Sequence, residues 1–253
     1  MELGAQLFTL REYCRNLDDF ALTLRKVADM GYKTVQVSGT CAFEADWLAQ
    51  ELKKNDLRCV ITHTSMDKIR DNTAQVIADH QTFGCQYVGI GCAPNCFAKG
   101  EEDMKALCDT IDTAGQKLAD REMLLMYHNH ACEFQRGIDG RKYFDRLMQD
   151  YDPKVLGFTL DTFWAQYAGI TVTDLIRSLK GRVPCVHLKD LDVHVNTPVT
   201  APVGHGNMNF DAILAACADA DAKYLLVEQD DCYEDPFVCL KKSLDFLHSR
   251  GLR

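Results

Sequence analysis

Short apolar stretches alternate along the chain with longer stretches in which apolar residues recur every three or four positions. The short stretches are rich in branched and aromatic residues, which is typical of buried strands. The longer ones, such as the run with Leu17, Phe20, Leu24 and Val27, have the spacing of amphipathic helices. The predicted strands are residues 3–9, 34–37, 58–62, 87–90, 123–127, 155–160, 183–188 and 224–227. The predicted helices are residues 17–30, 45–54, 67–83, 101–121, 140–149, 172–179, 210–218 and 237–250.

The order of these elements predicts the architecture. Strict strand–helix alternation indicates a parallel sheet, and eight such units in 253 residues match a (β/α)₈ TIM barrel. An open doubly wound sheet is the alternative. It normally has a glycine-rich phosphate-binding turn after an early strand, and the sequence contains none. We therefore expect one (β/α)₈ barrel domain over residues 1–253.

Polar residue types that bind metals follow the last four predicted strands. In a parallel barrel the carboxyl ends of the strands meet at one face, where the active site lies. Side chains that follow neighbouring strands should therefore converge there. The residues concerned are His128, His130 and Glu133 after the fifth strand, Asp161 after the sixth, His187 after the seventh and Glu228 after the eighth.

These strand ends predict a site for one divalent ion, with Glu133, Asp161, His187 and Glu228 as the expected ligands. Taken singly, each residue is more simply explained as a loop cap or an ion-pair partner. The coincidence of four at consecutive strand ends supports the metal site. Oxygen-rich ligation favours Mn²⁺ or Mg²⁺, with Mn²⁺ preferred here, and one imidazole keeps Co²⁺ and Zn²⁺ as alternatives.

Composition excludes several other classes of protein. Hydrophobic residues make up 47% and charged residues 26%, as in ordinary globular proteins. The net charge of -9 argues against a nucleic-acid substrate, because phosphate contacts need a basic surface. The 12 cysteines form no C-x-x-C pair, so we expect reduced thiols. Neither a signal peptide nor a membrane-spanning run is evident, and a cytoplasmic protein is expected.

Several motifs resemble those of a known superfamily. They are Leu160-Asp161-Thr162, His187-Leu188-Lys189-Asp190, Val203-Gly204-His205-Gly206 and Val227-Glu228. These look like signatures of the xylose isomerase-like TIM barrels, which include sugar phosphate isomerases/epimerases, tagatose 3-epimerase, inosose dehydratase and endonuclease IV. The stretch from Tyr127-His128-Asn129-His130 to Glu133-Phe134 is similar to a subgroup of sugar phosphate isomerases/epimerases. The resemblance covers nearly the whole chain. It implies a divalent metal held by strands five to eight and a polyhydroxylated keto or aldehyde substrate.

The fifth strand departs from the pattern of tagatose 3-epimerase, which has a ligating glutamate at the strand end. His128 occupies that register here, and Glu133 comes five residues later. Either His128 binds the metal or Glu133 reaches back to it. We expect Glu133, since a hard site that loses one carboxylate needs another. An imidazole of His128 or His130 would then replace one carboxylate of the epimerases' acid/base pair.

Further candidates are assigned by role. The expected catalytic residues are His128, His130 and Glu228 for proton transfer and Lys189 for stabilising a developing oxyanion. The expected substrate-binding residues are His63, Trp164 and His205. Three of these residues also have a structural explanation: a loop cap for His63, core packing for Trp164 and a buried ion pair for Lys189.

The resemblance implies a metal-dependent sugar isomerase or epimerase that acts through an enediolate. One alternative is a dehydratase or lyase that eliminates a β-substituent from a 3-keto sugar or inosose. A second and less favoured alternative is an endonuclease IV-like hydrolase. Such enzymes need more histidines, including one at the position where this chain has Trp164. A non-catalytic sugar-binding barrel is the third. The expected partner is a small carbohydrate, with no nucleic acid or membrane, and a homo-oligomer is left open.

Overall fold

Eight parallel strands close into a barrel in a computed structural model that describes residues 1–253. Each strand pairs with its neighbour in chain order, and the last pairs with both the seventh and the first. The (β/α)₈ prediction is therefore confirmed. The barrel strands are β1 (Glu2–Gln6), β2 (Thr34–Val37), β3 (Arg58–His63), β4 (Tyr87–Ile90), β5 (Leu124–His128), β6 (Leu156–Asp161), β7 (Cys185–Leu188) and β10 (Tyr224–Val227).

Helices surround the barrel, and their ends follow local sequence signals. Asn16 caps the first helix by accepting a hydrogen bond from the Asp19 amide, and Gly31 ends it with a φ of 111°. None of the helices combines the length and apolar character needed to cross a membrane. The helices are α1 (Leu17–Met30), α2 (Ala45–Lys54), α3 (Met66–Asp71), α4 (Thr73–Thr82), α5 (Glu101–Ala119), α6 (Tyr143–Asp150), α7 (Thr162–Tyr167), α8 (Val172–Ser178), α9 (Phe210–Asp219) and α10 (Pro236–Ser249).

Three predicted boundaries were wrong for local reasons. The first strand ends at Gln6, because its side chain accepts a hydrogen bond from the Phe8 amide and starts a 3-10 helix over Leu7–Tyr13. The predicted helix 67–83 is two helices, broken where Asn72 has a φ of -129°. The predicted helix 140–149 begins only at Tyr143.

One helix and one hairpin were not predicted. Helix α7 follows β6 directly, and its first turn is capped by Asp161. A hairpin of β8 (Asp190–His194) and β9 (Thr197–Ala201) follows β7. Its turn residues Val195 and Asn196 both have positive φ, the conformation of a tight hairpin turn. The usual Asn-Gly signal for that turn is absent, which explains why the hairpin was missed.

The core has two parts. A cluster of 58 buried residues lies largely between the barrel and its helices, and a second cluster of six fills the barrel itself. Met126, Cys185 and Leu226 belong to the second cluster. Because alternate residues of a strand face the same side, His128, His187 and Glu228, two positions further along, also face the interior. The layer of the barrel at the carboxyl ends of the strands is therefore polar. All 12 cysteines are free thiols.

Candidate metal centre

Four polar residues meet at the carboxyl ends of neighbouring strands β5, β6, β7 and β10. They are His128, Asp161, His187 and Glu228, and one ligand atom from each lies within 4.8 Å of the others. Each of these residues is at most 4% exposed. Three of the four expected ligands are thus brought together, with His128 beside them. We call this set the metal group.

Glu133, the expected fourth ligand, is not part of the metal group. Its Oε1 accepts a hydrogen bond from the Tyr127 hydroxyl at 2.7 Å, and its Oε2 accepts one from the His130 amide at 2.8 Å. The short 3-10 helix Cys132–Phe134 folds the carboxylate back onto the strand-five loop. Burial raises the pKa of Glu133 above its ordinary value. The geometry therefore favours His128 over Glu133 as the strand-five ligand.

The two histidines of the metal group are oriented as metal-binding histidines are. The Nδ1 of His128 donates to the Gly91 carbonyl at 2.8 Å, and the Nε2 of His187 donates to Gln36 Oε1 at 2.6 Å. Each imidazole in its neutral form then has a lone pair on the nitrogen that faces the group. Metal-ligating histidines are held by such outer hydrogen bonds, so the residues fit a divalent ion.

A close contact inside the group supports the same conclusion. The Nδ1 of His187 lies 2.8 Å from Glu228 Oε2, and neither atom has a hydrogen-bond partner in the structure. Two lone pairs this close repel each other unless a proton or a metal ion neutralises them. Burial alone would lower the pKa of His187, but the carboxylates of Glu228 and Asp161 outweigh it and raise the pKa. The contact therefore needs a proton or a metal ion between the two atoms.

Lys189 places an ammonium group against the carboxylates of the metal group. Its Nζ lies 2.9 Å from Asp161 Oδ2 and 3.0 Å from Glu228 Oε2, and it donates to both oxygens of Asp230 at 3.0 Å. Burial alone would lower the pKa of Lys189, but the surrounding carboxylates raise it above its ordinary value. Conversely, Lys189 overcomes the effect of burial and holds the pKa of Asp161 and Glu228 below their ordinary values.

Buried amides from other strands position the ligands. Gln6 Nε2 donates to Glu228 Oε1 at 2.9 Å, and Gln36 accepts from His187. Asn129 Oδ1 accepts from the backbone amide of Asp161 at 3.0 Å. The sequence prediction missed Gln6 and Gln36, because β1 and β2 carry no motif. The available signal was a glutamine within each of two short, otherwise largely apolar strands.

Three predicted residues lie beside the metal group. The ring centroid of His63 is 5.1 Å from that of His128, and the ring of His130 is 4.9 Å from His128 and 5.3 Å from Trp164. Burial lowers the pKa of His63, and it lowers that of His130 to about 3, so both imidazoles are neutral near pH 7. His63 Nε2, His130 Nδ1 and Trp164 Nε1 are buried without partners.

His205 lies elsewhere. It lines a cavity of about 410 Å³ between the β8–β9 hairpin and the loop after β10. The flanking glycines serve Asp190, whose Oδ2 accepts hydrogen bonds from the amides of Gly204 and Gly206, both at 2.9 Å. A Cβ at Gly206 would lie 2.6 Å from Asp190 Oδ1, so the turn needs glycine there. This motif therefore anchors a loop rather than reaching the metal group.

Two curated relatives match part of this chain. Inosose dehydratase of Clostridium botulinum is 25% identical over 170 residues, which are 60% of this chain and 56% of that protein. Inosose dehydratase of Bacillus cereus is 24% identical over 170 residues, with the same coverage. The match thus spans little more than half the length of these curated relatives.

Solved structures match nearly the whole fold. A sugar phosphate isomerase/epimerase from Parabacteroides distasonis superposes with a TM-score of 0.82 at 19% identity, covering 98% of this chain and 93% of that one. The probable 3-DHS dehydratase AsbF from Bacillus anthracis gives a TM-score of 0.75 at 13% identity, covering 99% and 100%. At such identities these likenesses establish the fold.

The family model for xylose isomerase-like TIM barrels matches residues 24–250, which is most of the chain. That span includes every member of the metal group. With the closed eight-stranded barrel and the strand-end donor set already described, this chain belongs to the xylose isomerase-like TIM barrel family.

Proposed function

We propose that the chain is one catalytic domain that binds a single divalent ion, with Mn²⁺ preferred, through His128, Asp161, His187 and Glu228. Its reaction is isomerisation or epimerisation of an unidentified polyhydroxylated ketone or aldehyde. The observation that carries the proposal is the orientation of the two histidines. Their outer nitrogens donate to Gly91 and Gln36, so the inner lone pairs face two carboxylates.

A bound divalent ion would polarise a substrate carbonyl and so acidify the neighbouring C–H bond. The proton acceptor that we propose is His130. Its Nδ1 is buried without a partner within the protein, and its ring lies 4.9 Å from that of His128, beside the metal group. The Lys189 ammonium, 1% exposed, would stabilise the negative oxygen of the resulting enediolate. Returning the proton to another carbon or to the other face gives an isomer or an epimer.

The unpartnered nitrogens support a hydroxylated ligand. His63 Nε2, His130 Nδ1, Trp164 Nε1 and Gln36 Nε2 are all buried without partners. Each belongs to a residue beside the metal group: His63 and Gln36 adjoin His187, His130 adjoins His128, and the Trp164 amide donates to Asp161. A buried polar atom without a partner costs on the order of 1–3 kcal/mol. Hydroxyl and carbonyl oxygens of a sugar would supply those partners.

A second candidate is elimination of a β-substituent from a keto sugar or inosose. Two observations favour it: the sequence similarity to inosose dehydratases, and a second imidazole, His63, whose ring lies 5.8 Å from that of His187. Both candidate reactions begin by removing a proton beside a carbonyl. They differ in the group that next receives a proton.

Deuterium uptake tests the shared first step. Mn²⁺-loaded protein is incubated in D₂O with candidate ketoses, inososes and 3-keto glycosides, and the C–H signals are followed by NMR. Exchange at the carbon beside the carbonyl supports the proposal, and a new alkene signal identifies elimination. Asp161→Asn is the matched control, since an amide oxygen still caps α7 but is a poorer metal ligand. The proposal would be contradicted by turnover in which the substrate proton neither exchanges with solvent nor is transferred within the substrate.

A further inference from the structure

The ammonium group of Lys189 occupies a position surrounded by carboxylate oxygens. Four of them lie within 3.0 Å of Nζ: Asp161 Oδ2, Glu228 Oε2 and both oxygens of Asp230. Its hydrogen bonds go to Asp230, whereas Glu228 Oε2 has no hydrogen-bond partner. Asp161 and Glu228 also belong to the metal group, but Asp230 does not. Nζ is therefore a second cationic position beside the metal group.

Three carboxylates around one point are the donors that hard divalent ions use. Two of these three would be shared with the neighbouring ion, as carboxylates are in two-metal sites, where the ions lie about 3.5–4 Å apart. The side chain of Asp230 is 23% exposed, so water can reach the open side of this position. The surroundings of Nζ thus meet the chemical requirements of a second divalent ion.

Charge explains why one ion is enough when lysine is present. Asp161, Glu228 and Asp230 carry three negative charges, and the Lys189 ammonium cancels one of them. The remaining two match a single divalent ion. Without the ammonium group, one divalent ion would leave a buried negative charge unpaired, which costs several kcal/mol. A second divalent ion beside Asp230 would neutralise that charge, and solvent on the open side of Asp230 would screen the one positive charge that remains.

We propose that Lys189 takes the place of a second metal ion and thereby restricts the centre to one divalent ion. The inference rests on the proposed metal centre and deepens it, because it assigns the stoichiometry to one side chain. Asp230 is the positioning residue that holds the ammonium group in place. Replacing Lys189 by a neutral residue should open a second divalent site formed by Asp161, Glu228 and Asp230.

Metal stoichiometry tests the inference without any activity assay. Full-length wild type and Lys189→Met are saturated with Mn²⁺, freed of excess ion and measured by elemental analysis and electron paramagnetic resonance. We expect about one ion per chain in wild type. The variant should hold about two, with the signal broadening of two coupled ions. Lys189→Arg keeps the cation and should hold one. The double variant Lys189→Met with Asp230→Asn loses the ligand that is unique to the second position and should also hold one.

Each outcome has a distinct meaning. One ion in wild type and one in Lys189→Met would overturn this inference and leave the metal centre standing. No ion in wild type would overturn the metal centre itself. Two coupled ions in wild type would show that lysine does not exclude the second ion. Circular dichroism checks that the variants are folded, and Lys189→Gln, which keeps a donor for Asp230, replaces the methionine variant if that one aggregates.

Discussion

The Nε2 of His187 donates a hydrogen bond to Oε1 of Gln36 at 2.6 Å, across the barrel from β7 to β2. Both side chains are fully buried. The bond fixes which imidazole nitrogen carries the hydrogen, so the other one, Nδ1, faces the carboxylates of the metal group. A glutamine far away in sequence thus determines how a proposed ligand is presented.

Removing this bond should weaken metal binding. We expect Gln36→Leu to lower the affinity for Mn²⁺ by about 10- to 100-fold, the usual effect of losing an outer partner of a ligating histidine. Gln36→Glu, which keeps the acceptor, should retain most of the affinity. Chelator competition gives the dissociation constants, and Gln75→Leu on the exposed surface of α4 is the control. Equal affinity in Gln36→Leu and wild type would show that the bond does not serve the metal.

The two candidate strand-five ligands should respond differently to substitution. His128→Ala should reduce metal occupancy strongly, because Nε2 is one of the four converging donor atoms. Glu133→Gln should keep the metal, since both oxygens of Glu133 are engaged by Tyr127 and the His130 amide. The substitution should instead lower the free energy of unfolding, on the order of 1–3 kcal/mol, because the new amide group faces a backbone donor. Elemental analysis and thermal unfolding distinguish the two effects. The reverse pattern of occupancy would restore Glu133 as the ligand.

His130 should affect turnover without affecting metal binding. It is not a member of the metal group, and its ring packs between those of His128 and Trp164. We expect His130→Ala to lower kcat by about 10²- to 10⁴-fold, the usual contribution of a general acid or base. Mn²⁺ content should stay at the wild-type level. Tyr167→Phe, at a half-exposed position nearby, is the control. Unchanged deuterium exchange in His130→Ala would exclude it as the base.

Stability should fall with decreasing pH because of a histidine outside the metal group. His80 Nδ1 donates to the Val76 carbonyl and Nε2 accepts from the Thr62 hydroxyl, so the neutral ring fits its buried site. Burial lowers the pKa of His80 to about 4. The unfolded chain, with a pKa near 6.5, therefore binds this proton first as pH falls. Stability is fully retained above pH 6.5 and is lost towards pH 4, by up to about 3 kcal/mol.

Urea unfolding at several pH values measures this loss. His80→Leu should be less stable than wild type at pH 7 but should lose less stability between pH 6.5 and pH 4. His248→Gln, on the exposed side of α10, should leave the pH dependence unchanged. An identical pH slope in His80→Leu and wild type would remove His80 as a cause.

Sequence patterns alone were enough to predict the barrel and three of the four proposed ligands. Alternation of strand and helix patterns is local information, and it was enough to predict eight parallel strands that close into a barrel. Asp161, His187 and Glu228 follow their strands directly, so the parallel order of those strands places them on one face. A residue at a strand end has little freedom, which is why these three could be located without coordinates.

The tertiary structure favours His128 over Glu133 as the proposed strand-five ligand. That choice depends on where a loop of five residues turns, and a 3-10 helix held by Tyr127 directs Glu133 away from the metal group. The contacts of Gln6 and Gln36 join residues 222 and 151 positions apart, beyond the reach of any local pattern. The partners of Lys189 were also settled by packing, because Asp161, Glu228 and Asp230 approach its ammonium from two different strand ends. Hydrophobic periodicity predicts which way a strand faces, but only closure of the barrel brings distant polar groups into contact.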